Sequence, residues 1–138
     1  EEGDEYMIKL RSEIKQEAIF ELEEGKDSRC EYYLKQLLRI DEFDYSVIYF
    51  QLYLAAKDGD GYTMNELRGQ FQESLKMVQD WSKEPSDKRS FLLEAMMRHA
   101  KFQKEKGRTD AAIKTLKELE SLIGKTPDSQ KYLKEWGA

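Results

Sequence analysis

The chain has 138 residues, enough for one domain with a real hydrophobic core. Charged residues make up 37% and mean hydropathy is −0.83, yet aromatics reach 12%, which excludes a disordered, core-less chain and favours helices with charged outer faces. Net charge is −5 and unevenly divided: residues 1–82 carry 10 Lys+Arg against 19 Asp+Glu, and residues 83–138 carry 13 against 9. The asymmetry can steer a partner, but there is no basic stripe with base-stacking aromatics, so no nucleic acid is expected.

No apolar run approaches the 18 or so residues of a membrane span, so no membrane contact is expected either. A single cysteine, Cys30, cannot form an internal disulfide, which favours a reducing, intracellular setting without excluding secretion. The opening EEGDEY lacks a start methionine and leaves open a place in a longer chain or complex.

The periodicity predicts helices throughout. The first runs from about Glu5 to Glu24, with Met7, Leu10, Ile14, Ala18 and Leu22 on one stripe, and Gly25 ends it. The second reaches about Arg39, capped by Asp27 or Ser28 with Ser28-x-x-Glu31 fitting a capping box, and buries Cys30, Leu34, Leu37 and Leu38. Asp44 is the expected N-cap of the third, about Tyr45 to Lys57. That helix is apolar nearly all round and so is expected to sit centrally. A strand is the competing reading of VIYFQLYL; the flanking helical patterns and the lack of a partner strand favour the helix.

The DGDG turn (Asp58 to Gly61) follows, and Thr63-x-x-Glu66 reads as a second capping box for a helix reaching about Trp81, with Met64, Leu67, Phe71, Leu75 and Val78 inward. Pro85 separates it from the clearest hairpin. There Leu92, Ala95, Met96, His99 and Phe102 share one face, Gly107 makes the turn, and Ala112, Leu116, Leu119 and Ile123 share the facing side. Gly124 ends that hairpin, and Thr126-Pro127 supplies the N-cap and first residue of a last helix, about 128–136, docked by Tyr132, Leu133 and Trp136.

Two segments repeat. GKDSRCEYYLKQLL from Gly25 and GRTDAAIKTLKELE from Gly107 share the glycine, a basic residue, a small residue (Cys30 or Ala112) and a leucine four further on (Leu34 or Leu116). Gly59 lies 34 residues after Gly25. The pattern resembles the tetratricopeptide-repeat (TPR) family. Ala112-x-x-x-Leu116 and Ala100 fill its small and apolar places, and hairpin one matches with Ala18, Cys30 and Leu34. Met96, His99 and Gln103 stand at the signature Trp, Leu and Tyr places, while Glu17 and Glu21 fall at two apolar ones. The resemblance implies an all-α fold of antiparallel hairpins (about 5–39, 45–81 and 86–123) stacked as a short TPR-like α-solenoid, with a capping helix at 128–136.

It also implies a protein-interaction or scaffold module whose first helices line a concave groove. By that register Lys15, Ile19, Leu22, Tyr49, Tyr53, Met97, Lys101 and Lys104 face the groove. Tyr49, Tyr53, Met97, Lys101 and Lys104 are the expected contacts with an apolar-acidic protein segment. Lys15 and Arg98 stand at two places of the family's chaperone-tail clamp, but Ile19, Phe50 and Glu94 replace its Asn, Asn and Lys.

No catalytic site, cofactor or metal is expected. His99, the only histidine, lies on an apolar stripe and reads as a core residue, and no HExxH, GxSxG or phosphate-cradling glycine loop is present. The alternative function is a small helical regulatory domain with a degenerate EF-hand-like loop. Asp58 and Asp60 would be its third and fifth ligands, but Ala56 and Leu67 occupy the two strongest places.

Overall fold

The computed structural model describes residues 2–138, with side chains from Glu5 onward. Among them are seven α-helices and no strand: α1 Glu2–Glu23, α2 Asp27–Ile40, α3 Tyr45–Asp58, α4 Gly61–Leu75, α5 Ser86–Glu105, α6 Thr109–Leu122 and α7 Pro127–Glu135. VIYFQLYL is helical. A 3-10 turn, Trp81–Lys83, lies between α4 and α5.

Three hairpins, α1/α2, α3/α4 and α5/α6, turn through the same backbone motif. Gly25, Gly59 and Gly107 all lie in the left-handed region, at φ 77°, 72° and 78°. The residue after each donates its N–H back to the last turn: Lys26 to Glu21 O (2.8 Å), Asp60 to Ala55 O (3.0 Å) and Arg108 to Gln103 O (2.9 Å). The glycines themselves donate to Leu22, Ala56 and Lys104. This double bond is the Schellman arrangement, which satisfies carbonyls a helix end would otherwise leave open. In each case the donor after the glycine is also the N-cap of the next helix, so the two helices fold back antiparallel.

Two expected capping boxes are not formed. The N-cap of α2 is Lys26, without a side-chain bond, rather than Asp27 or Ser28. In α4 it is Asp60, whose carboxylate accepts from Thr63 N (3.1 Å) and Thr63 Oγ1 (2.6 Å). In both hairpins the glycine turn fixes where the next helix starts, and that start precedes the sequence signature. Asp44 caps α3 as expected, accepting from Ser46 N at 3.0 Å. Thr126 caps α7 reciprocally with Ser129 and has Pro127 at the first helical position.

Helix α4 also stops at Leu75 rather than near Trp81. Lys76, Met77 and Val78 tighten into three-residue bonds, and Trp81 turns in to meet Tyr45 edge to face at 5.0 Å. Aromatic contact with α3 replaces the further helical turns.

The core lies around α3, of which ten residues are buried. Helix α5 crosses it with the Phe50 and Phe91 rings stacked at 4.6 Å. Tyr45 meets the Lys88 ammonium near the start of α5, and Tyr53 meets Phe102 near its end, so α3 and α5 run in the same direction. Arg11 pairs with Asp87 and Glu23 with Arg98, so α1 also runs parallel to α5.

A buried ion cluster ties these three helices at one end. Lys15, 3% exposed, places Nζ 3.0 Å from Asp44 Oδ2 and 2.8 Å from Asp87 Oδ2. Arg11 grips Asp87 with two bonds of 2.9 Å. Two cations meet two carboxylates, and Asp44 also caps α3, so desolvation is offset by pairing and hydrogen bonds. Burial opposes the Asp87 charge, but the Arg11 and Lys15 contacts outweigh it and hold its carboxyl below the usual range. Beside the cluster, Lys88 pairs with Asp41 at 2.5 Å, and the Tyr45 hydroxyl donates to Glu84 at 2.8 Å.

Candidate furrow along helix α5

The outer face of α5 follows from spacing: Ser90, Glu94, Met97, Lys101 and Lys104 recur at three- and four-residue intervals opposite buried Leu92, Ala95, Met96 and His99. Three recesses adjoin along this face, and Glu94 lines all of them. The first lies against α1, between Gln16, Ile19 and Phe91. The second lies against the start of α7, with Leu93, Met97 and Pro127. The third, about 600 Å³, is closed at the side by Tyr53 and Lys57 of α3 and carries Met97, Lys101, Phe102 and Lys106.

Of the five expected contact residues, Tyr53, Met97 and Lys101 line this third recess together. The other two do not. Tyr49 is 2% exposed and belongs to the core, where its hydroxyl shares a 2.7 Å hydrogen bond with His99 Nδ1 and its ring meets Phe71 edge to face. Lys104 is exposed on the same face of α5 but does not line the recess, and its Nζ lies 3.4 Å from Thr109 Oγ1. Tyr53 contributes only an edge, being 8% exposed and packed against Phe50 and Phe102. A groove with two exposed tyrosine anchors is therefore not formed. Helix α3 is covered by α2, α4 and α5, which leaves it no open face.

Lys15 and Leu22 are likewise buried rather than presented, and Ile19 is half-buried against the core. Arg98, at the other clamp place, is bound to Glu94 (2.6 Å) and Glu23 (3.0 Å). Burial disfavours its charge, but the Glu94 and Glu23 bonds and the nearby Tyr53 more than compensate, and its pKa is raised. Both clamp cations are thus committed inside the fold.

The groove cations that remain differ in kind. Lys101 lies over the Tyr132 ring at 5.0 Å and Lys106 over Phe102 at 5.6 Å. Among the described residues neither has a carboxylate within 4.0 Å, nor does Lys104. The Lys101 and Lys106 ammonium groups thus lie over aromatic faces on an exposed surface, where such a contact contributes about 0.5–1 kcal/mol. The role of Tyr132 and Phe102 as platforms for these lysines escapes sequence reading, because Tyr132 sits on α7, 31 residues from Lys101.

His99 is a core histidine, as its stripe position implies, and its partner is the Tyr49 hydroxyl. Burial and nearby Arg68 push its pKa down to about 4. Cys30 is buried, and desolvation, reinforced by Asp27, pushes its thiol up to about 12, which makes it unreactive.

At the DGDG turn, Asp60 is committed to capping α4. Among the described residues no group of three or more His, Cys, Asp or Glu side chains is gathered to hold a metal ion. No described helix is long and apolar enough to cross a membrane. No protein-family model matches the chain, and no curated protein or solved structure is significantly similar to it.

Proposed function

We propose that the chain is a protein-interaction module, not an enzyme, built as a short TPR-like stack that takes an apolar-acidic segment of a partner along α5. The observation that carries this reading is the recess where Met97 and Phe102 offer apolar surface beside Lys101 and Lys106, neither of which has an acidic partner among the described residues. Apolar centre and charged rim is the division found at energetic hot spots.

Three features support the repeat architecture. Ala18, Cys30 and Leu34 in the first hairpin and Ala100, Ala112 and Leu116 in the third are all 0% exposed. The first helices of the hairpins run in one direction, as their ion pairs and ring contacts require. The three turns share one backbone motif. Against the family pattern stands Glu21, buried at an apolar place with Oε2 lacking a partner among the described residues and Arg29 at 3.7 Å from Oε1.

Selection of random phage-displayed peptides on the immobilised protein tests the reading. The selected sequences are expected to combine Leu, Phe, Tyr or Trp with Asp or Glu. Lys101→Glu is expected to weaken them about tenfold, which corresponds to about 1.4 kcal/mol. Peptides without acidic residues, or equal binding to the variant, would refute it.

A further inference from the structure

We propose that the segment occupying the α5 furrow is the outer face of α1 from a second copy of this chain, so that molecules add head to tail; this rests on the furrow being a docking site. Helix α1 carries an apolar-acidic stripe turned away from the core. Tyr6, Glu13 and Phe20 are seven residues apart and so lie in line, flanked by Glu17 and, in the turn just past the helix end, by Glu24. Tyr6 is 65% and Phe20 56% exposed, which leaves two large rings in solvent on one helix face. Glu13, Glu17 and Glu24 make no ion pair among the described residues.

Charge and length fit the two surfaces to each other. With Lys9 included, the stripe carries a net −2. Lys101 and Lys106 line the third recess with Glu105 and Asp128, and Lys104, exposed beside them on the same helix, makes three lysines to two carboxylates without an ion pair among the described residues. The surrounding field has the same sense, since residues 1–82 are net acidic and 83–138 net basic. From Tyr6 to Phe20 the stripe spans about 21 Å, and from Ser90 to Glu105 the furrow spans about 22 Å, at 1.5 Å per helical residue.

The contact cannot form within one molecule. The opposite side of α1 is held on its own α5 through Arg11–Asp87 and Glu23–Arg98, which turns the stripe outward. Pairing two α1 stripes antiparallel about Glu13 would match Tyr6 with Phe20 and Lys9 with Glu17, but it would set Glu13 against Glu13 and bring two net-acidic faces together, so charge favours the unlike surface. A heterologous contact of this kind repeats without closing unless its rotation happens to form a ring.

Sedimentation of the full chain over a range of concentrations at low salt tests the proposal. The average mass is expected to rise past twice the 16.3 kDa monomer. It should return to monomer in about 1 M NaCl, where charges are screened beyond about 3 Å. Glu13→Lys with Glu17→Lys, and separately Lys101→Glu with Lys106→Glu, should each stay monomeric with unchanged circular dichroism, because all four side chains are exposed. An equimolar mixture of the two double variants restores opposite charge at every contact and should associate again.

A wild-type chain that remains monomeric, or a closed dimer indifferent to the lysine reversals, would overturn head-to-tail association. The peptide selection keeps that failure distinct from failure of the furrow. Acidic-apolar peptides that require Lys101 on a monomeric protein would reject only the second copy as occupant.

Discussion

Lys15 Nζ lies 2.8 Å from the Asp87 carboxylate, a contact that spans 72 residues and fixes α1 against the start of α5. Both side chains are nearly inaccessible, at 4% and 1% exposure. Both residues line the first recess of the furrow, whose wall α1 forms with Gln16 and Ile19. Arg11 and Asp44 complete the cluster, so neither ion is buried without a partner.

Removing the lysine charge should therefore cost far more than an ordinary surface pair. Lys15→Met keeps the stem but leaves Asp44 and Asp87 facing each other in a buried site. The expected loss is roughly 3–5 kcal/mol, the range for breaking one side of a buried pair. Urea unfolding of the variant measures it, and a loss below about 1 kcal/mol would show that water reaches the cluster.

The buried His99 makes stability depend on mildly acidic pH. Its pKa falls from 6.5 in the unfolded chain to about 4 in the fold. Between those values the unfolded state binds the extra proton, so stability is full above about 6.5 and declines as pH drops toward 4. The linked loss is on the order of 2 kcal/mol by pH 5. His99→Gln keeps a polar partner for Tyr49 without titrating, so its unfolding free energy should change much less over pH 7 to 5. Equal slopes for the two proteins would place the acid sensitivity elsewhere. Asp87 and Asp41, whose carboxyls are held below the usual 3.8, lose their contribution only at still lower pH.

Tyr53 shows only an edge to the recess and is mainly a packing residue. Its ring packs on Phe50 and Phe102 with the Lys57 ammonium 5.7 Å above it. Tyr53→Ala should destabilise by roughly 3–5 kcal/mol, as for other large aromatic truncations in cores. Lys101→Glu, at an exposed position, should leave the melting temperature within the range of ordinary surface changes, within about 0.5 kcal/mol. Thermal unfolding of both variants separates core from furrow. A Tyr53→Ala protein that melts like wild type would put the ring back at the surface.

Much of the local structure was decided by short stretches of sequence. Gly25, Gly59 and Gly107 each permit the left-handed residue that a Schellman turn requires, so three hairpins follow from local chemistry. Asp44 and Thr126-Pro127 fixed two helix starts in the same way. The apolar periodicity fixed which residues of α5 and α6 turn inward, and the all-round apolar surface of α3 fixed its central place.

The tertiary structure alone decided what covers that surface. A helix without a polar face carries no signal of which side stays open, so Tyr49 and Tyr53 read as groove residues until α4 and α5 enclosed them. Lys15 is the converse case. A lysine on an apolar stripe reads as exposed, because burying a lone charge is prohibitive. It is buried here only because folding brings Asp44 and Asp87, distant in sequence, within 3.0 Å of it.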